Sequence, residues 1–179
     1  MRTHYSVIVF SCMFISILTP ALAGNTSFGW GVVNMQGAII ETACAIAVES
    51  QEQSVDMDVM SLGDIIRDGK GRTKPFTIEL INCVIERQDK KKTGWKKFQV
   101  TFDGDAEGSL FSVRGEASGI ALKITDQNDK LALPGRPLAH EHITPGNMKL
   151  NYNLHLVANQ RVLKAGEYFS AIRFKLDYF

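Results

Sequence analysis

Cysteine is scarce: Cys12, Cys44 and Cys83 are the only three in 179 residues. A thiolate metal site needs a richer set of ligands at fixed spacing, and none accompanies them. Charge of one sign is also missing. Lys and Arg number 20 against 19 Asp and Glu, so the positive excess of a nucleic-acid binder is absent. Beyond the opening residues there is no apolar run of the ~20 residues that a membrane span requires. There is no Gly-x-Ser-x-Gly elbow and no phosphate-cradling glycine loop. Internal repeats, low-complexity tracts and linkers are absent too. These absences leave one domain of ordinary size, large enough to bury a core.

The opening "MRTHYSVIVFSCMFISILTPALA" has the three parts of a secretory signal. Arg2 supplies the positive region, "VIVFSCMFISIL" the apolar region and "ALA" a small-residue cleavage site. Residues 1–23 are therefore expected to be removed, giving a chain that starts at Gly24 with a net charge near zero. A single anchoring helix is the alternative, and Pro20 with the A-x-A pattern disfavours it. Cys12 would leave with the signal. Cys44 and Cys83 then form an even pair in an exported chain, for which a disulfide is the default.

The remaining sequence is a succession of short alternating runs broken by turn residues. Phe76, Ile78 and Leu80 alternate before Cys83, and Phe98, Val100 and Phe102 before an Asp-Gly. Ile120, Leu122 and Ile124 precede the polar "DQND". Leu150, Tyr152, Leu154 and Leu156 lead to Asn159-Gln160, expected at a hairpin tip, and Ile172, Phe174, Leu176 and Tyr178 form the last run. "AIAVES" after Cys44 also reads as β-like. Period-2 runs at this spacing predict an all-β, antiparallel sandwich, with one helical turn in residues 59–69.

Candidates for chemistry are thin. His140 and His142 flank Glu141, but no further ligand stands at metal spacing. His155 alternates with Leu154 and Leu156, which places it on an outer face. Asp103 and Asp105 lie in an Asp-Gly turn, where turn chemistry accounts for them. The run "RQDKKKTGWKK" reads as a solvated hairpin tip with Trp95 packed at its base. No catalytic residue, cofactor site or metal site is expected, and no small-molecule substrate.

Two segments remain. Residues 30–44, "WGVVNMQGAIIETAC", read as a strand with Val33, Met35 and Ile39 on one face and Gly37 between them. It is either the first strand of its own sheet or a strand for another molecule. At the other end, an immunoglobulin-like sandwich needs about seven strands, and the runs supply fewer. A missing last strand would leave an apolar groove beside an unpaired edge, an aggregation hazard unless filled.

These residues resemble the pilin subunits of chaperone–usher fimbriae. The resemblance is carried by Gly37 seven residues before Cys44, by "F-x-I-x-L-x-x-C" from Phe76 to Cys83, by the block from Gly115 to Ile124, and by the last alternating strand with its penultimate Tyr178. It implies an incomplete immunoglobulin-like sandwich lacking its last strand, spanning residues 41–179 behind a donor extension at 24–40. A periplasmic chaperone would lend a strand first. At the outer-membrane usher, the extension of a neighbouring pilin subunit would replace it. By position, Gly31, Val33, Met35, Gly37 and Ile39 would enter a neighbour's groove, and Ile172, Phe174, Leu176 and Tyr178 would line this chain's own groove and meet the chaperone. Localisation would be a fimbrium on the bacterial cell surface, reached through the periplasm.

The last third is most similar to the termination subunit of P pili, which accepts a chaperone strand, donates its extension and anchors the rod. A polymerising major or adaptor pilin shares the same skeleton and stays open. An immunoglobulin-like carbohydrate-binding adhesin is the rival from another functional class.

Overall fold

In a β-strand, residues two apart share a face, so the alternating runs above each present one apolar side. In the central runs that side is buried, with Ile78 and Leu80, Phe98, Val100 and Phe102, Ile120, Leu122 and Ile124, and Leu150, Tyr152, Leu154 and Leu156 in the core, while Phe76, Ile172, Phe174, Leu176 and Tyr178 are half-buried against it. The structure is a computed structural model that describes residues 31–179. The expected signal and the start of the extension, residues 1–30, lie outside the described residues. The chain divides between Ala38 and Ile39 into two units. In the first, residues 31–38 are exposed and form no regular structure.

The second unit holds β1 (Ala45–Ile46), α1 (Val48–Gln51), α2 (Leu62–Asp68), β2 (Lys70–Cys83), β3 (Lys97–Gly104), β4 (Ala106–Glu107), β5 (Leu110–Ser112), β6 (Arg114–Gly115), β7 (Ile120–Asp126), β8 (Leu131–Ala132), β9 (Glu141–His142), β10 (Gly146–Ala158), β11 (Tyr168–Phe169) and β12 (Ile172–Tyr178). One sheet runs β1-β2-β10-β7-β5-β4, with β8 beside β7. Its register sets Leu150 opposite Ile78, Tyr152 opposite Phe76 and Leu154 opposite Ile124. The facing sheet runs β12-β3-β9 and sets Phe174 opposite Phe102 and Tyr178 opposite Phe98. Between the sheets, the Phe102 ring meets Tyr152 edge-on at 4.9 Å and Phe76 at 6.0 Å. Every strand pair is antiparallel, and the result is a sandwich.

Local chemistry sets the boundaries. The expected helical turn is α2: the Asp64 amide donates to Ser61 Oγ at its start (3.2 Å), and Gly69 closes it with φ 65°. Both are residues whose chemistry suits those ends. Cys44 and Cys83 form a disulfide that fastens the start of β1 to the end of β2. Three sequence expectations change. "AIAVES" is a two-residue strand followed by the helical turn α1, which stays on the edge of β2 because the Ala47 amide donates to the Glu79 carbonyl (2.9 Å) and the Glu79 amide to Ser50 Oγ (2.9 Å). Gln160 does turn the chain, with φ 67°, yet it leads from β10 across to the other sheet rather than through a hairpin. The lysine run likewise joins β2 in one sheet to β3 in the other, with Trp95 buried at its base and Lys90, Lys91 and Lys92 exposed.

Candidate functional site

β12 pairs with β3 alone among the described residues, and no strand lies along its other edge. Beside that edge the sandwich is open. A groove of about 1140 Å³ runs between two lips, residues 50–60 on one side and 164–174 on the other. Its floor is the inner face of the large sheet: Phe76 from β2, Ile120, Leu122 and Ile124 from β7, and Leu154 and Leu156 from β10, with Phe102 from β3. These are the residues that the period-2 pattern assigns to the core. Here they serve as core on one side and as groove lining on the other.

The first lip has no strand pairing and is held by side chains. Gln53 Nε2 donates to the Thr77 carbonyl (2.9 Å), and Asp58 takes an ion pair from Lys74 Nζ at 2.8 Å and from Arg72 at 3.5 Å. Its partner Lys74, with Arg72, holds the Asp58 carboxyl below the usual carboxylate range. The second lip packs on the glycine-rich block. Gly119 adopts φ +80°, and a Cβ there would sit 2.7 Å from the Leu163 Cα. Only glycine combines that backbone angle with so close an approach. Nearby, the Glu116 amide donates to the Glu167 carbonyl (2.8 Å) and Ser118 Oγ to that of Val162 (3.1 Å).

The expected acceptor residues separate into two pairs. Ile172 and Phe174 line the groove. Leu176 and Tyr178 lie beyond its lining and pack against the core; the Tyr178 ring is 6.0 Å from Trp95 and 6.5 Å from Phe98. The expected donor residues Gly31, Val33, Met35, Gly37 and Ile39 form no strand in this chain. Val33 and Met35 are 81% and 87% exposed, Ile39 is fully exposed, and a Cβ on Gly37 would meet nothing within 4 Å. Sequence reading missed the first lip. Its signal was the alternation of Val55, Met57 and Val59 within an acidic stretch, of which Met57 is buried and Val59 exposed.

Among the described residues no histidine lines the groove. His155 sits between Thr73 Oγ1 (2.8 Å) and Thr125 Oγ1 (3.0 Å), and burial pushes its pKa down. Among the described residues no group of three or more His, Cys, Asp and Glu is placed to hold a metal ion. No helix among them is long and apolar enough to cross a membrane. An apolar slot beside an unpaired strand edge offers two things, backbone hydrogen bonds along the edge and alternate apolar pockets. Those are the requirements of an added β-strand.

Comparison with known proteins agrees with this geometry. The family model described as fimbrial protein matches residues 33–178. The PRS and PAP fimbrial minor pilin proteins of Escherichia coli are each 28% identical, over 99% of this chain and 100% of their own length. The major MR/P fimbria protein of Proteus mirabilis is 30% identical over 84% of this chain and 85% of its own. Among solved structures, the P pilus rod subunit superposes with a TM-score of 0.68 at 19% identity, covering 77% of this chain and 100% of its own. A chaperone–usher pilus subunit gives 0.66 at 21% identity, covering 88% and 100%. The sandwich is thus the incomplete immunoglobulin-like fold of pilus subunits. The chain belongs to the fimbrial protein family: it is a pilin, a structural subunit of a fimbria.

Proposed function

We propose that this pilin assembles by exchange of β-strands and acts as a minor subunit that ends and anchors a fimbrial rod. The groove along the unpaired edge of β12 carries the reading. In the periplasm a chaperone strand fills it; at the outer-membrane usher, the alternating segment at Gly31, Val33, Met35, Gly37 and Ile39 enters the groove of a neighbouring pilin. The subunit's activity is assembly, not turnover of a substrate. The apolar side chains of that segment are exposed and belong to no strand among the described residues, which supports donation. Burying each in a groove is worth about 1.5–3 kcal/mol before ordering costs.

Two observations favour an end position. The relatives matched over their full length include two minor pilins. The groove lining also reaches along β12 only as far as Phe174, while Tyr178 is packed on Trp95 and Phe98, which supports a groove shorter than the acceptor strand. A polymerising subunit is the second reading, favoured by the 30% identity to a major fimbria protein. Mixing the purified chaperone complex with a synthetic extension peptide from a partner pilin separates them. A terminator keeps its chaperone, whereas a polymerising subunit releases it. A lone chain that stays monomeric and folded, with residues 31–39 paired in its own sheet, would overturn strand exchange altogether.

A further inference from the structure

The extension's last alternating residue, Ile39, is followed by Ile40 and then Glu41. Both carboxylate oxygens of Glu41 are engaged. Oε1 accepts the Gln88 backbone N–H at 2.8 Å, and Oε2 accepts Arg87 Nη2 at 2.9 Å and Nε at 3.1 Å. The Arg87 guanidinium in turn lies 3.9 Å from the centroid of the Trp95 ring, a favourable place for a cation over an aromatic face. Trp95 is buried, its backbone amide donates to the Ile85 carbonyl (2.7 Å), and its ring stands edge-on to Tyr178 near the end of β12. The contacts therefore run from the root of the extension to the far end of the strand that borders the acceptor groove.

This arrangement is not needed to attach the chain. The disulfide at Cys44 and the pairing of Ala45 with Ile81 already do that. Exposed ion pairs also contribute little to fold stability. What the Glu41 contacts add is a hold placed one residue from the donor segment. Releasing it would free Glu41 and Thr42 as well, lengthening the tether by roughly 3.3 Å for each extended residue.

We infer that Glu41, Arg87 and Trp95 form a joint whose positioning residues set the angle between this subunit and the one that receives its extension. The inference rests on the strand-exchange reading above, and it concerns the donor root rather than the groove. The joint depends on a carboxylate. Glu41 is held below the usual range, first by the Gln88 N–H and then by Arg87, and the charged groups facing it are Arg87 and Lys92. It closes at neutral pH and opens when acid protonates Glu41.

The test uses this subunit joined to its neighbour, imaged by electron microscopy, with the distribution of inter-subunit angles as the readout. At pH 7 the wild type gives a narrow distribution that broadens at least twofold in acid. Glu41→Gln and Arg87→Met are broad at both pH values, and Arg87→Lys restores part of the order. Equal widths for wild type and both variants, or an acid response that persists in Glu41→Gln, would overturn the joint. Amide exchange in the chaperone-bound subunit reads the same contact without a fibre: Glu41→Ala accelerates exchange of the Gln88 amide about tenfold, and an unchanged rate refutes the clamp. Failure to form joined subunits at all refutes strand exchange instead, so the two failures are distinct.

Discussion

Replacing Gly37 with leucine separates what the extension does for its own chain from what it does for a neighbour. In this chain a Cβ at Gly37 meets nothing within 4 Å, and the flanking Met35 is 87% exposed. The body should therefore keep its stability within about 0.5 kcal/mol, as exposed substitutions usually do. On the strand-exchange reading the same residue would face the floor of a neighbour's sandwich, where glycine is the residue that lets another backbone approach closely. Forcing extra methylenes into such packing costs about 1–3 kcal/mol, which is roughly a 5- to 150-fold loss of association. Met35→Ala makes a useful comparison. It removes apolar burial instead of adding bulk, and about 2 kcal/mol, at the low end for such truncations, is roughly 30-fold. The assay is capture of the chaperone-bound variant by its neighbour, followed on native gels over time, with thermal melting of the chaperone-bound form as control. Capture of Gly37→Leu at the wild-type rate would refute the register that puts Gly37 in the groove. A lowered melting temperature would mean that the extension belongs to its own fold.

Other perturbations test the body. Reducing the disulfide, or replacing Cys44 and Cys83 with serine, opens a loop with a sequence separation of 39; the chain-entropy argument gives a loss of about 4 kcal/mol, measurable by denaturant titration of the chaperone-bound subunit. Gly119→Ala should cost at least about 1–3 kcal/mol from the φ of +80° alone, and it should speed proteolysis of the second lip. Acid should loosen the first lip. The Asp58 carboxyl lies below its ordinary pKa because of Lys74 and Arg72, so its contribution is complete above the unfolded value near 4 and disappears as pH falls through the depressed folded value. Amide exchange of residues 52–60 should therefore accelerate below about pH 4, and in Asp58→Asn it should be fast at neutral pH with the acid response removed.

The strands were legible because their chemistry is local and periodic. Phe98, Val100 and Phe102 alternate whether or not one knows that β12 lies beside them, and Ser61 and Gly69 mark a helix within their own few residues. The groove was legible only as a shortage of strands. Its lip at residues 50–60 is fixed by partners far along the chain, Thr77 and Lys74, and no local pattern reports such long-range pinning. The division of the last strand was hidden for the same reason. Ile172, Phe174, Leu176 and Tyr178 look equivalent in an alternating run, yet Trp95 from a distant loop covers Tyr178 while the first two face the groove. The segment at 31–39 shows the reverse. Its alternation is real, but residues 31–39 form no strand among the described residues.

The two banks of the groove differ in how they are attached, because one is buttoned to β2 by side chains and the other passes directly into the ladder of β12. A guest strand would thus find a fixed rail on one side and a yielding flap on the other. On the strand-exchange reading the rail would dictate alignment and the flap would absorb the bulk of whichever guest arrives. Exchange of one guest for another would then cost a few side-chain contacts at the flap and leave the sandwich itself undisturbed.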